Sequence, residues 1–268
     1  MKKLIVSLLI AGVLLAAVNH TAAAGAKQDN ANVLSIGASP VPHAELLNLV
    51  KDDLAARGVT LKIVEFTDYV QPNMAVLSGD LLANFFQHVY YLDANEAWAS
   101  KLVAAFGVHV EPFGLYSVKY KDINDLPNGA VIAIPNDPTN GGRALLLLQS
   151  KGLITLKDGV GLTATPRDIT VNPKNFHFQE LEAAQLPRSL QDVDAATING
   201  NYALEAGFNP MEDSLIIEGA DSPYVNAVVV RKGNENDPRI VALKRVMLTA
   251  KVRNYITTHY DGGVAAVF

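Results

Sequence analysis

Ile132-Ala133-Ile134-Pro135-Asn136-Asp137-Pro138-Thr139-Asn140-Gly141-Gly142-Arg143-Ala144-Leu145 contains the change of period that decides the fold class. Ala130 to Ile134 is a short apolar run bounded by turn residues, which predicts a buried strand. Thr139 to Lys151 then places leucines at helical spacing after a tight Asn-Asp-Pro turn. A strand that turns directly into a helix is the unit of α/β architecture. The turn also has chemistry. The first N–H groups of a helix lack partners, and the helix dipole favours an anion at that end. Gly141 and Gly142 offer close approach to the backbone, and the planar fork of Arg143 matches a carboxylate, so Asn140 and Arg143 are candidate ligand residues. The same residues describe an ordinary N-cap turn with Arg143 in solvent equally well. No Gly-Lys-Ser/Thr follows, so this is not a nucleotide-phosphate loop.

The alternation continues on both sides. Upstream, Val33 to Gly37 and Leu61 to Phe66 read as strands around a helical Ala44 to Arg57. Asn73 to Ser78 reads as a short helix, Leu81 to Phe86 as extended, and Leu92 to Phe106 as mostly helical. Val108 to Tyr116 is a strand interrupted by Pro112 and Gly114, the natural place for a crossing between lobes. Downstream, Phe176 to Leu181, Ala195 to Ile198, Leu215 to Glu218 and Val225 to Val230 are strands, and Ala183 to Leu190 is helical. Asp237-Pro238 opens a single long helix to His259. A chain that builds one lobe, leaves it and returns predicts two lobes: 33–113 with 227–268, and 114–226, with the last helix able to pack on either.

The N-terminus carries export chemistry. Lys2 and Lys3 precede an apolar Leu4 to Val18, and Thr21-Ala22-Ala23-Ala24 supplies small residues, which predicts a signal peptide over 1–24. The apolar run is shorter than the ~20 residues a membrane-spanning helix requires. The 268 residues include no cysteine, which excludes disulfides, thiol nucleophiles and Cys-based metal sites. The formal charge is −5, and losing Lys2 and Lys3 with the leader makes it −7, with both signs interspersed. That balance argues against nucleic acid as a partner. The expectation is a soluble periplasmic monomer without a lipid anchor.

Outside the helix turn, three stretches carry polar or aromatic chemistry. Leu82 to Tyr91 crowds aromatic rings around His88, with Tyr69 upstream. Aromatic edges suit a polarisable thioether, although a core strand with one bonded histidine is equally compatible. Asn199-Gly200-Asn201-Tyr202 resembles a helix cap, and Asp221 to Asn226 resembles a turn, but paired side-chain amides can also read an ammonium and a carboxylate. Enzyme motifs are missing: there is no Gly-x-Ser-x-Gly elbow and no His-Glu-x-x-His pair. The six histidines show no close metal-ligand spacing, so no catalytic, metal or cofactor site is expected.

From Val33 onward the chain resembles the methionine-binding lipoprotein family of receptors for methionine ABC importers. The resemblance rests on Ala83-Asn84-Phe85-Phe86-Gln87-His88, on the stretch from Ile132 to Leu145, on Glu182 to Leu190 and on Ile198-Asn199-Gly200-Asn201-Tyr202-Ala203. It implies a two-lobed, type 2-like periplasmic-binding-protein fold closing over methionine (L- and also D-), and a permease and ATPase as partners. Position by position it implies that Tyr69, Phe86, His88 and Tyr91 enclose the side chain, that Arg143 holds the carboxylate, and that Asn201 and Asn226 complete the polar contacts. Two departures stand out: family members usually carry a lipidated cysteine, which this sequence lacks, and Tyr90 replaces a proline common there. The competing readings are a receptor for another apolar amino acid or a Met-containing dipeptide, a dehydratase-like enzyme using His88 as general acid, and an adhesin.

Overall fold

The computed structural model describes residues 32–219 and 222–268. The expected signal peptide at 1–24 lies outside the described residues. The described chain forms two large sheets of different origin and one small two-stranded sheet. Strands β1 (Val33–Ala38), β2 (Thr60–Glu65), β3 (Ala83–His88) and β4 (Leu102–Val110) come first. Then come β5 (Gly114–Tyr116), β6 (Val131–Pro135), the small pair β7 (Thr155–Leu156) and β8 (Ile169–Val171), β9 (His177–Leu181), β10 (Ala195–Ile198) and β11 (Ser214–Ile217). Finally β12 (Val225–Arg231) and β13 (Ala265–Ala266) return to the first sheet. The sheet orders are β13-β4-β12-β3-β1-β2 and β11-β5-β10-β6-β9. The chain therefore passes between lobes twice, at Glu111–Phe113 and between Ile217 and Val225. The return strand begins at Val225, where its apolar run is expected to start, and this places Asn226 on the first sheet, opposite His88 on one side and His109 on the other.

Each lobe has its own core, because each sheet buries an apolar face beneath helices. Leu34, Ile36 and Ala38 of β1 are fully buried beneath Leu46, Leu47 and Leu54, contributed by helices α1 (Glu45–Leu49) and α2 (Lys51–Ala55). Complete burial of one such side chain contributes about 1.5–3 kcal/mol. In the second lobe Ile132 and Ile134 pack on Leu145 and Leu148.

Four elements differ from the sequence expectation, the first being the helix expected over Ala44 to Arg57, which breaks at Val50 into α1 and α2. The stretch Leu92 to Phe106 is not mostly helical. Helix α3 (Gln71–Ser78) precedes β3, and two short turns follow it, α4 (Val89–Asp93) and α5 (Glu96–Ala99). Residues 102–110 then form the longest strand, held by β12 along its length and by β13 at its end. Pairing with strands more than 100 residues away, together with Val103, Phe106 and Val108, overrides the local helical spacing. Helix α6 (Pro138–Ser150) agrees with expectation, whereas the segment after Glu182 divides into a 3₁₀ turn (Ala183–Gln185) and α7 (Leu186–Ser189). After α8 (Gly200–Glu205) and α9 (Pro210–Asp213), the predicted single C-terminal helix is two: α10 (Pro238–Met247) and α11 (Ala250–His259). Leu248 and Thr249 leave helical geometry (φ −89, ψ 62 and φ −128, ψ 160), and Leu248 packs on the core. Both helices bury Ile240, Leu243, Met247, Val252 and Ile256 in the first lobe's core, which settles where this segment packs.

Candidate functional site

The eight residues singled out from sequence all line one cavity of about 320 Å³ between the lobes. The first lobe supplies Tyr69 from the loop after β2, Phe86 and His88 from β3, Tyr91 from α4, and Asn226 from β12. The second lobe supplies Asn140 and Arg143 from α6 and Asn201 from α8. Gln87, Glu111, Asn199 and Gly200 complete the wall and were not predicted.

The apolar half is made of rings that brace one another. Tyr69 packs on Phe86, Tyr91 and Tyr202 with centroids 5.8, 5.7 and 5.0 Å apart. The Tyr91 hydroxyl donates to the Tyr69 carbonyl at 3.2 Å, and the Tyr69 hydroxyl donates across the cleft to Asn201 Oδ1. Tyr202 makes a second crossing by donating to the Thr67 carbonyl at 3.1 Å. Burial pushes the Tyr69 and Tyr91 hydroxyls up, so both remain protonated donors at neutral pH. Behind β3 a buried amide cluster fixes the strand: Asn73 and Gln87 exchange bonds at 3.0 and 2.7 Å, and Asn84 donates to Asn73 at 2.8 Å.

His88 is held in one tautomer by its neighbours. Its Nδ1 accepts the Tyr91 backbone N–H at 3.0 Å, which leaves Nε2–H to donate to Asn140 Oδ1 at 3.1 Å. Burial, reinforced by the Arg143 charge, pushes its pKa down to about 3. A neutral imidazole that keeps its single proton on Asn140 is a poor general acid. Asn140 is in turn positioned by Asp137, the α6 cap, which accepts its backbone N–H at 2.9 Å. Asn140 Oδ1 also takes a bond from Asn199 Nδ2 at 2.9 Å.

Arg143 differs most from its expected role. It is 3% exposed, and its fork is already engaged: Nε donates to Glu218 Oε1 at 2.7 Å, and Nη2 to Glu218 Oε2 and to the Glu111 carbonyl. The guanidinium also lies 4.0 Å from the Tyr224 ring centre and 4.9 Å from that of Phe113. These bonds use Nε and Nη2 and leave Nη1 for a ligand. Arg143 therefore belongs to the fabric of the second lobe as well as to the cavity wall. The two glycines also serve packing. A Cβ at Gly142 would stand 2.1 Å from the Leu162 carbonyl oxygen, and one at Gly141 would stand 2.8 Å from that of Pro135. Their missing side chains admit protein backbone.

Two amide atoms in the wall are buried without a partner: Asn199 Oδ1 and Asn201 Nδ2. Buried polar groups are nearly always bonded, so an orphan acceptor and an orphan donor in one cavity mark where a ligand's donor and acceptor belong. Asn199 occupies the cap position of α8 but makes no capping bond. The cap motif concealed it in the sequence. Glu111 had a clearer signal: in Val108-His109-Val110-Glu111 the two polar residues alternate with valines, as a strand with one polar side would.

Beside the cavity, His43, His109 and Glu111 bring three ligand-type atoms within 4.8 Å of one another. Sequence spacing did not show this, because His43 is far from the other two along the chain. Three of the four ring nitrogens are engaged in hydrogen bonds, both of His43 and Nε2 of His109. His109 Nε2 donates to Glu111 Oε1 at 2.8 Å, and His43 Nε2 donates to Asn226 Oδ1 at 3.1 Å, standing 3.4 Å from the same carboxylate oxygen.

Comparisons with known proteins agree with this geometry. Residues 34–268 match the family model described as NlpA lipoprotein. The chain is 38% identical to the methionine-binding lipoprotein MetQ of Bacillus subtilis over 276 residues, covering 100% of this chain and 99% of the relative. A nutrient-binding protein from Burkholderia cenocepacia, solved bound to methionine, superposes with a TM-score of 0.84 at 43% identity, over 88% of this chain and all of the other. A periplasmic substrate-binding protein of an ABC transporter from Coxiella burnetii gives 0.82 at 41% identity, over 87% and 99%. With the match running from the first strand to the last residue, and its cleft lined by the residues that carried the resemblance, the chain belongs to the NlpA lipoprotein family.

Proposed function

We propose that this protein is the substrate-binding component of an ABC importer and that its cleft captures methionine for delivery to a permease and its ATPase. The observation that carries the reading is the division of one buried cavity into two halves. Tyr69, Phe86 and Tyr91 form an aromatic half suited to a thioether. Arg143, Glu111 and the orphan amides form a polar half that carries one charge of each sign, as a zwitterion requires. MetQ relatives and a methionine-bound neighbour support the same ligand. Both L- and D-methionine belong to the proposal, as does a monomeric state.

Methionine would place its carboxylate at Arg143 Nη1 and Asn201 Nδ2, and its side chain among the rings. Closure is the step that completes the polar half, because Asn140, Arg143 and Asn201 come from the opposite lobe to His88 and Tyr69. The reading is one of binding and release. Relatives are named as binding proteins, and the one proton of the neutral His88 ring is engaged by Asn140.

Location follows from the same comparisons. Relatives are lipoproteins, and among the described residues no helix is long and apolar enough to cross a membrane. Export to the periplasm and a free, unanchored state are proposals, the second resting on the absence of cysteine from the sequence. Detergent phase partitioning of the exported protein tests it: recovery in the detergent phase overturns the unanchored state.

The test of function is mass spectrometry of small molecules released by denaturing the purified protein, followed by calorimetry on the emptied, refolded protein. The expected result is release of methionine, rebinding of methionine and exclusion of glutamate and lysine, since burying an unpaired charge among rings costs several kcal/mol. A folded protein that binds no methionine, or binds lysine as tightly, overturns the reading.

A further inference from the structure

We propose that Glu111 is the residue that recognises the ligand's α-ammonium group, that His43 and His109 position its carboxylate, and that the site is thereby restricted to amino acids with a free, unblocked amine. The inference rests on the amino-acid reading above and adds a residue and a selectivity to it.

Glu111 occupies the first crossing between lobes and is held from both. From the first lobe, His109 Nε2 and His43 Nε2 face Oε1 at 2.8 and 3.4 Å. From the second, the Asn201 backbone N–H donates to Oε2 at 2.8 Å. Gly200 allows that approach, since a Cβ there would stand 2.6 Å from Glu111 Cβ. A carboxylate offers about four acceptor sites, and His109 and the Asn201 N–H fill one on each oxygen, so acceptor capacity is left on the oxygen that faces the second lobe. Glu111 lines the cavity, and so does the unpartnered Asn199 Oδ1. An ammonium brings three N–H donors and no acceptor, and these two oxygens are the complement it needs.

The charges lead to the same assignment. Arg143 is the positive group of the wall, and Glu218 already balances it. Burial pushes the Glu111 carboxyl up, but the neighbouring His43, the His109 bond and the Asn201 N–H outweigh that and hold it below the usual carboxylate range, so it is ionised. Among the described residues its ion-pair partners are His43 and His109, and no lysine or arginine side chain is paired with it. Burial pushes His43 down to about 4, and Ser39 Oγ occupies its Nδ1 at 2.8 Å. His109 Nδ1 is buried with no partner, and its Nε2 faces the carboxylate. A buried carboxylate with no lysine or arginine against it and an acceptor site turned to the cavity is a site for a ligand cation.

The experiment compares methionine with 2-hydroxy-4-(methylthio)butanoate, which exchanges the ammonium for a hydroxyl, and with N-acetylmethionine, by calorimetry on wild type, Glu111→Gln and His109→Gln. Wild type should prefer methionine over both analogues by about 30-fold or more, the ratio expected when a buried charged partner is lost. Glu111→Gln should weaken methionine by a similar factor while holding the hydroxy acid within about threefold of wild type, so that the preference collapses. His109→Gln should narrow the preference part-way, whereas a purely structural defect would weaken both ligands in parallel. Wild type binding the hydroxy acid within about threefold of methionine overturns the inference without any variant, and so does a folded Glu111→Gln that keeps the preference. Stoichiometric zinc in the purified protein that is lost in His109→Gln would make the three side chains metal ligands and overturn it as well. If wild type binds no methionine, the reading of function fails instead.

Discussion

Breaking and then balancing the Arg143–Glu218 pair separates the two roles that the structure assigns to Arg143. In Arg143→Met the Glu218 carboxylate, only 14% exposed, loses both guanidinium bonds, while its links to Ser222 Oγ at 3.2 Å and the Phe113 N–H at 3.3 Å persist. Removing one partner of a buried ion pair costs about 3–5 kcal/mol, and the residual exposure and remaining bonds of Glu218 put the expectation near the lower figure. Loss of the guanidinium from the Tyr224 face, 4.0 Å away, adds roughly 1 kcal/mol. For a chain of this length ~3–4 kcal/mol corresponds to a melting temperature lower by roughly 6–16 °C. Neutralising the orphan, in Arg143→Met with Glu218→Gln, should return most of that stability, because a buried ion pair replaced by neutral groups of similar volume is often close to isoenergetic. Methionine binding should not return with it, since no cation then faces the ligand carboxylate. Urea melts and calorimetric titration on wild type, the single variant and the double variant decide the matter. A double variant that binds methionine within about threefold of wild type would place the carboxylate elsewhere and leave Arg143 as a structural residue only.

Stability should depend on pH with a definite sign. His88 and His43 have folded pKa values pushed from 6.5 to about 3 and about 4, so below pH 6.5 the unfolded chain takes up protons that the folded chain refuses. Denaturation free energy should therefore be level above about pH 7 and decline as pH falls from 6.5 towards 4, by up to about 1.4 kcal/mol per pH unit for each histidine. Glu111, whose pKa is lowered, adds to the loss only at the acid end. His88→Gln should flatten the slope in urea melts across this window, and an unchanged slope would contradict the buried, neutral state. Gly142→Ala would put a Cβ 2.1 Å from the Leu162 carbonyl oxygen, and the backbone shift this requires should cost about 1–3 kcal/mol in the same melts. Wild-type stability in the Gly142→Ala protein would show that the 161–163 loop yields freely.

Local chemistry made the strand–turn–helix units legible. Ala195–Ile198 is both a short apolar run and a strand, and the Asp-Pro turn before Thr139 both predicts and caps α6. Period, cap and turn signals act over a few residues, so one sequence suffices to read them. The same locality explains the failures. The strand at 102–110 owes its conformation to β12, more than 100 residues later, and the break at Leu248 owes its position to the core that this residue packs on. The motifs, taken with the family resemblance, named eight cavity residues by type and position, because each sits in its own short turn or strand. What those residues do to one another was decided only by folding. Glu218 reached the Arg143 fork from 75 residues away, Asn201 reached Glu111 across 90, and His43 met Asn226 across 183. Hydrogen bonds and charge pairs act at about 3 Å regardless of distance along the chain, so which donors are engaged, which orphans are left and which carboxylate is free for a ligand are properties of the tertiary structure alone.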